Sequence, residues 1–211
     1  MLGGTQDNGT EKFTLTGFDN TASAMSGDGG MCFIDQLTPQ FQIASFTRNT
    51  FRLSTDGGNS FPITLIDDDA TGSFINQGDY DSNLKILYTA KNTTEVYRMI
   101  NVTTTRNLTS IPVSLGSTAT AIRVSPHSTT SSNLYVGTMA GKLFKITGAN
   151  LGSIAPDEIT GPGFPNGAIS SISFGANEDQ ILVTFSNYGV ISVCETRNGG
   201  NTWVNREGSL A

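Results

Sequence analysis

The sequence predicts an all-β fold, a β-propeller of four-stranded antiparallel blades with about four complete blades and one partial blade. Gly, Ser, Thr and Asn make up 90 of the 211 residues, a composition that favours turns and strands over helix interiors. An apolar, strand-like segment recurs every 41 to 48 residues, which is the length of one propeller blade. Hairpin-turn residues follow each copy, so the repeated unit is a set of antiparallel strands.

The recurring segment is the second strand of each predicted blade. Its five copies lie at residues 1–5, 42–46, 86–90, 134–138 and 181–185. A third strand follows each copy after a short turn, and in the last blade we expect it at 190–193. A first strand precedes four of the copies, and in the third blade we expect it at 73–75. A more variable fourth strand, such as 62–66, completes each blade.

These strands predict one propeller segment over residues 1–211. Its blades are expected at 1–29 (partial), 30–71, 72–117, 118–167 and 168–211. The first blade lacks its leading strand, so the chain is either part of a larger propeller or a small five-bladed ring with one incomplete blade. A β-sandwich is the alternative architecture, but it would not give a four-strand period.

Charge and composition exclude several classes of function. The net charge is -6 and basic residues are scattered singly, which argues against a nucleic-acid partner. No apolar run reaches the length of a membrane span, and the N-terminus has no signal-peptide pattern. The two cysteines are too far apart in sequence to suggest a disulfide framework or a metal site. We expect no cofactor, because no phosphate loop or dinucleotide fingerprint occurs.

The most specific motif is structural. Residues 54–61 match the pattern Ser-x-Asp-x-Gly-x-x-aromatic, in which the acid accepts backbone hydrogen bonds and the aromatic residue packs into the blade. Residues 196–203 are a degenerate copy at the same place in a later blade, with Asn in place of the acid. The residues assigned to this structural motif are Ser54, Asp56, Gly58, Phe61, Asn198, Gly200 and Trp203.

With the blade length and the glycine-rich segments 3–10 and 27–30, these motifs resemble the Asp-box, or bacterial neuraminidase repeat, propellers of the sortilin and xyloglucan-hydrolase-like superfamily. The resemblance covers essentially the whole chain. It implies a partial propeller from a secreted bacterial protein, located outside the cell or at its surface. It also implies that the remaining blades of a longer chain are its partners.

Four polar residues are the candidates for ligand binding: Asp7, Asn8, Asp28 and Asp35. Asp28 and Asp7 are also the catalytic candidates, because glycoside hydrolysis needs two carboxylates beside the scissile bond. Each has a structural alternative. Asp7 and Asn8 suit a type I′-like hairpin turn, the glycines around Asp28 suit a tight bend, and Asp35 suits a turn before Pro39.

Other polar and aromatic residues give weaker signals. The acidic run 67–69 lacks the spacing of a Ca²⁺ loop, and His127 is the only histidine, so we expect no metal site. No Arg-Ile-Pro motif occurs, which argues against sialidase activity. Several aromatic residues suit either sugar stacking or packing within the blades. They are Tyr80, Tyr135, Phe164, Tyr188 and Trp203.

The sequence therefore favours a non-catalytic binding or scaffold module of a secreted or cell-surface protein. Two alternatives stay open. The chain belongs to a xyloglucanase-like glycoside hydrolase acting on polysaccharide, or it is a sortilin-type propeller that binds peptides. The expected ligands are accordingly carbohydrate or peptide.

Overall fold

The computed structural model describes residues 1–14, 20–152 and 155–208. Within these ranges every regular element is a β-strand, and the strands form five sheets. The first sheet has three strands: β1 (Leu2–Thr5), β2 (Gly9–Lys12) and β3 (Ala22–Met25). The second has four: β4 (Cys32–Ile34), β5 (Gln42–Ser45), β6 (Asn49–Ser54) and β7 (Ile63–Asp68).

Three further four-stranded sheets follow along the chain. The third contains β8 (Gly78–Asp81), β9 (Ile86–Ala90), β10 (Glu95–Ile100) and β11 (Asn107–Pro112). The fourth contains β12 (Ala119–Val124), β13 (Leu134–Thr138), β14 (Leu143–Ile146) and β15 (Asp157–Glu158). The fifth contains β16 (Ile169–Phe174), β17 (Ile181–Phe185), β18 (Val193–Thr196) and β19 (Val204–Asn205).

In every sheet the strands lie side by side in chain order, so each sheet is a meander of hairpins. The register aligns apolar residues across the antiparallel pairs: Ile43 lies opposite Leu53 on β5 and β6, and Val183 lies opposite Cys194 on β17 and β18. The second strands β5, β9 and β13 are buried along their whole length. This burial on both faces fits the mainly apolar sequences of β9 and β13, whereas β5 also buries the polar residues Gln42 and Ser45.

Two strand predictions were wrong. The first strand of the third sheet is β8 and not residues 73–75, where Phe74 and Ile75 are exposed in the preceding loop. In the fifth sheet β18 begins at Val193, so most of residues 190–193 belong to the connection from β17. In both places an apolar run of the sequence lies in a loop, and the residues that follow it complete the sheet through backbone pairing.

The chain forms two compact units. The first comprises Met1–Lys91 and Tyr97–Thr109. Its apolar core joins side chains of the second and third sheets, including Ile43, Phe51 and Leu87. Some polar residues of this unit are buried as well: Asn49, Asn76 and Thr89 are each at most 1% exposed.

The second unit comprises Asn92–Val96 and Ser110–Ala211. Its core joins the fourth and fifth sheets through residues such as Tyr135, Ile172 and Val183. Phe164 packs edge-on against both Phe185 and Trp203, with ring centroids 5.3 and 4.7 Å apart. Of the aromatic residues singled out in the sequence, Tyr80, Tyr135 and Trp203 are buried and Phe164 is partly buried, whereas Tyr188 is fully exposed.

Candidate binding surface

Three of the four candidate ligand-binding residues lie together in the first unit. Asp7 and Asn8 occupy the turn between β1 and β2, and Asp28 lies in the loop that joins the first sheet to β4. The backbone N–H of Asp7 donates to Oδ1 of Asp28 over 2.8 Å, which fixes the Asp28 carboxylate against the turn. Asp7 and Asn8 are exposed, and Asp28 is partly buried.

Close backbone packing brings these two segments together. The N–H of Gly29 donates to the carbonyl of Thr5 over 2.9 Å, and a Cβ at Gly29 would collide with the carbonyl of Gly9. The glycines beside Asp28 therefore serve a close approach between loops. The turn itself differs from the expected type I′ form, because Asp7 and Gly9 have positive φ, at 64° and 79°, and β1 pairs Thr5 with Gly9 around a three-residue loop.

The loop carrying Asp28 packs against the turn between β5 and β6. The ring of Phe46 packs over Gly27, and the N–H of Gly30 donates to the carbonyl of Ser45 over 2.9 Å. Arg48, with φ of 55°, forms the tip of that turn. Its N–H donates to the carbonyl of Phe74 over 2.8 Å, so the turn lies beside the loop between β7 and β8.

That loop exposes two large apolar side chains. Phe74 is 51% exposed and Ile75 is 40% exposed. We name the surface formed by residues 6–8, 26–31, 46–49 and 69–77 the Asp28 face. Asp7, Asn8 and Asp28 within it are candidates from the sequence, whereas Phe74 and Ile75 were not among the candidates, because an apolar pair between polar residues also suggests a strand.

A buried polar network holds the loop beneath Phe74 and Ile75. The amide of Asn76 donates to Oδ1 of Asn49 over 2.7 Å and to the carbonyl of Ala90 over 2.8 Å. The amide of Asn49 donates to the same carbonyl and to Oγ1 of Thr71, each over 2.9 Å. The hydroxyl of Thr89 also donates to Oδ1 of Asn49 over 2.7 Å. Satisfied buried networks of this kind rigidify their surroundings.

Asp35, the fourth candidate, lies at the opposite end of β4 and is fully buried. One carboxylate oxygen accepts from the N–H groups of Leu37 and Thr38, and the other accepts from Tyr80 and from Nζ of Lys85. Burial opposes ionisation, but these donors outweigh it and hold the pKa of Asp35 below its ordinary value. Both oxygens are thus engaged by the protein itself.

The predicted motif at 54–61 forms the turn between β6 and β7. Oγ of Ser54 accepts from the N–H of Gly58 over 2.8 Å and donates to Oδ1 of Asp56 over 2.7 Å. Oδ1 of Asp56 also accepts from the N–H groups of Asn59 and Ser60, each over 3.0 Å. The hydrogen bonds from Ser54 and Ser60 hold the pKa of Asp56 well below its usual range.

The degenerate copy at 196–203 repeats this geometry between β18 and β19. Oγ1 of Thr196 accepts from the N–H of Gly200 and donates to Oδ1 of Asn198, over 3.0 and 2.9 Å. Oδ1 of Asn198 accepts from the N–H of Thr202 over 3.0 Å, as the carboxylate does in the first loop. Phe61 and Trp203, which end the two loops, are both buried. The first motif residue of this copy, Thr196, was absent from the assigned set.

The remaining polar candidates have protein partners of their own. In the acidic run 67–69, the carboxylate of Asp68 accepts from the hydroxyls of Thr71 and Tyr97, over 2.6 and 2.8 Å. Nε2 of His127 lies 3.0 Å from the carbonyl of Gly175. No group of three metal-ligating side chains occurs within residues 1–14, 20–152 and 155–208.

Both cysteines are free thiols. Burial raises the pKa of Cys32 to about 11 and that of Cys194 to about 12, so both stay protonated at neutral pH. Across the described residues, no helix is long and apolar enough to cross a membrane.

Comparison with known proteins identifies the fold. No family model matches the chain, and no curated protein does. The chain resembles YCF48 from Cyanidioschyzon merolae at 14% identity and a TM-score of 0.56, over 78% of this chain and 52% of that one. It also resembles the β-propeller domain of Cps50 (Swd1) from Myceliophteria thermophila at 10% identity and a TM-score of 0.58, over 84% of this chain and 54% of that one.

The chain therefore spans about half the length of these solved structures. At such low identity the likeness concerns the fold alone. Together with the repeated sheets it confirms the predicted fold: the chain is an all-β protein of the β-propeller type, and its described residues form four four-stranded sheets and one three-stranded sheet.

Proposed function

We propose that the chain is a non-catalytic binding module that takes an extended peptide segment of a partner protein on the Asp28 face. The observation that carries this proposal is the exposure of Phe74 and Ile75 on a loop that the buried Asn49 and Asn76 amides hold in place. Apolar side chains presented to water on a rigid loop are typical of interaction sites.

Charges beside the apolar pair define the chemistry of the partner. Asp28 and the exposed Asp7 supply carboxylates, and Arg48 supplies a guanidinium whose Nη1 donates to the carbonyl of Gly72 over 3.5 Å, in the loop that carries Phe74. A complementary peptide therefore places an apolar side chain against Phe74 and Ile75, with a basic residue towards Asp28 and an acidic residue towards Arg48. Such charges fix the register of a bound segment.

We further infer that the propeller is of the Asp-box type. The matching hydrogen bonds around Asp56 and Asn198 support this assignment, because the two loops share the same donors and acceptors at the same place in two sheets. The assignment would place the protein outside the cell or at its surface. Since the similar solved propellers are about twice as long, it would also give this chain the remaining blades of a longer chain as partners.

A glycoside hydrolase is the second candidate function, and one observation favours it. Asp7 and Asp28, the two catalytic candidates, lie side by side. If this pair catalyses hydrolysis, the wild-type chain should release reducing ends from a soluble polysaccharide such as xyloglucan, and the Asp28→Asn variant should not. The binding proposal predicts no release by either protein and an unchanged melting temperature for Asp28→Asn.

Selection from a displayed random peptide library tests the binding proposal. Peptides enriched on the immobilised wild-type chain are measured against the double variant Phe74→Ser/Ile75→Ser. We expect at least about tenfold weaker binding, because a central apolar anchor carries much of the affinity of such a contact. Both side chains are exposed, so the variant should fold normally, which circular dichroism checks.

Leu37→Ser is the matched control. Leu37 is 64% exposed but lies in the turn between β4 and β5, at the opposite end of the second sheet. Enriched peptides should bind this control as they bind the wild type. The proposal fails if no peptide is enriched, or if the enriched peptides bind the double variant as tightly as the wild type.

A further inference from the structure

The connection between β17 and β18 is longer than its counterparts in the other sheets. It spans residues 186–192, whereas the corresponding connections span only 6–8, 46–48, 91–94 and 139–142. An extension confined to one copy of a repeated hairpin is not needed to form the sheet. Extensions of this kind commonly carry a binding function on a scaffold that is otherwise regular.

Hydrogen bonds fix both ends of this extended loop. Oδ1 of Asn187 accepts from the N–H of Ala168 over 2.5 Å, and the N–H of Ser186 donates to the carbonyl of Ala168 over 3.0 Å. At the other end, the N–H of Ser192 donates to Oε1 of Glu207 over 3.2 Å. The loop is therefore anchored to the start of β16 and to the segment that follows β19.

Tyr188 stands at the tip of the anchored loop with its side chain fully exposed. Beside it lies a cavity of about 680 Å³, formed by residues 185–192 together with Glu207. That volume lies within the range of small-ligand sites. Most other large aromatic side chains of the second unit pack within its core, so the free ring of Tyr188 is an exception there.

We propose that this loop is a second binding site, separate from the Asp28 face, and that it takes an uncharged carbohydrate. The ring of Tyr188 offers a flat surface for the C–H face of a sugar. The Asn187 amide, the Glu207 carboxylate and the hydroxyls of Ser186 and Ser192 offer donors and acceptors for sugar hydroxyls. Among the described residues the lining contains no Lys, Arg or His, and its one charged side chain is the carboxylate of Glu207, which disfavours an anionic ligand.

Native affinity electrophoresis tests this site. The chain is run through gels containing soluble neutral polysaccharides, namely xyloglucan, xylan, galactomannan and dextran, with heparin as an anionic probe. We expect at least one neutral polysaccharide to retard the wild type and heparin to have no effect. Tyr188→Ala should weaken the retardation about tenfold, because stacking on the ring is lost, whereas Tyr188→Phe should keep it within about twofold.

Two control variants establish whether retardation depends on this loop in particular. Leu151→Ala removes another exposed apolar side chain of the second unit and should leave retardation unchanged. Phe74→Ser/Ile75→Ser should also leave it unchanged, so the test is independent of the proposed peptide site. The proposal is overturned if no neutral polysaccharide retards the wild type, if Tyr188→Ala runs like the wild type, or if heparin alone retards the chain. Loss of peptide binding in Tyr188→Ala would instead assign the loop to peptides.

Discussion

A single buried carboxylate links two sheets of the first unit. Asp35, directly after β4 of the second sheet, forms an ion pair over 2.5 Å with Lys85, which lies between β8 and β9 of the third sheet. It also accepts from the hydroxyl of Tyr80 on β8 over 2.9 Å. The side chain of Asp35 is fully buried, and that of Lys85 is 24% exposed. An ion pair in this setting is costly to break from one side, because the remaining charge loses its partner.

We expect Asp35→Asn to destabilise the folded chain by about 3 kcal/mol at pH 7, which urea unfolding measures. The folded-state pKa of Asp35 is lowered, so its contribution is present above the unfolded-state pKa of about 3.9. The contribution is lost as the pH falls through the folded-state pKa. The difference between wild type and variant should therefore be large at pH 7 and shrink in acid.

Asp69→Asn is the control for this prediction. Asp69 is exposed in the same unit, so its replacement should change stability by less than about 0.5 kcal/mol. Equal effects of the two substitutions would show that Asp35 contributes only through the net charge. The role of Asp35 was only partly readable from the sequence, which predicted a turn acid but could not reveal Lys85, fifty residues further along the chain.

The turn between β6 and β7 contains two adjacent glycines that differ in how much space surrounds them. Gly57 and Gly58 both have positive φ, at 73° and 78°. A Cβ at Gly57 would point into open space, whereas a Cβ at Gly58 would strike the side chain of Gln42. Gln42 is 9% exposed, and its amide donates to the carbonyl of Pro39 over 3.0 Å, so it has little freedom to move.

Gly57→Ala should therefore cost about 1 kcal/mol, the strain of a left-handed residue with a side chain. Gly58→Ala should cost at least about 1 kcal/mol more, because steric overlap is added to the same strain. Chemical unfolding of the two variants measures both values. Equal losses of stability in the two variants would mean that the Gln42 side chain moves aside without an energetic cost. Gly58 would then be needed only for its backbone conformation.

The accuracy of strand prediction also varied between elements, for a physical reason. The second strands β9, β13 and β17 begin and end where the sequence predicted, because their apolar runs pack on a buried face. The strand β8 was missed because Gly78, Asp79 and Asp81 have little β propensity, and only Tyr80 is a large apolar residue. Backbone pairing with β9 makes it a strand all the same.

The repeat length along the whole chain was sufficient to predict the β-propeller fold, whereas the arrangement of the candidate site was only partly predictable. The contact between Asp7 and Asp28 depends on close packing of two separate loops around Gly29. The support beneath Phe74 depends on the amides of Asn49 and Asn76, which the sequence cannot separate from the many other asparagines. Such features arise from packing between repeats and not from the local pattern within one.

Hydrogen–deuterium exchange with a peptide selected on the wild-type chain tests whether the Asp28 face carries the binding function. If the peptide binds to the Asp28 face, we expect slower exchange on peptide addition in residues 26–31, 46–49 and 69–77. We also expect unchanged exchange in 35–41, at the opposite end of the second sheet, and in 186–192. Protection of 35–41 or of 186–192, with none in the Asp28 face, would show that the peptide binds elsewhere and would overturn the proposed site.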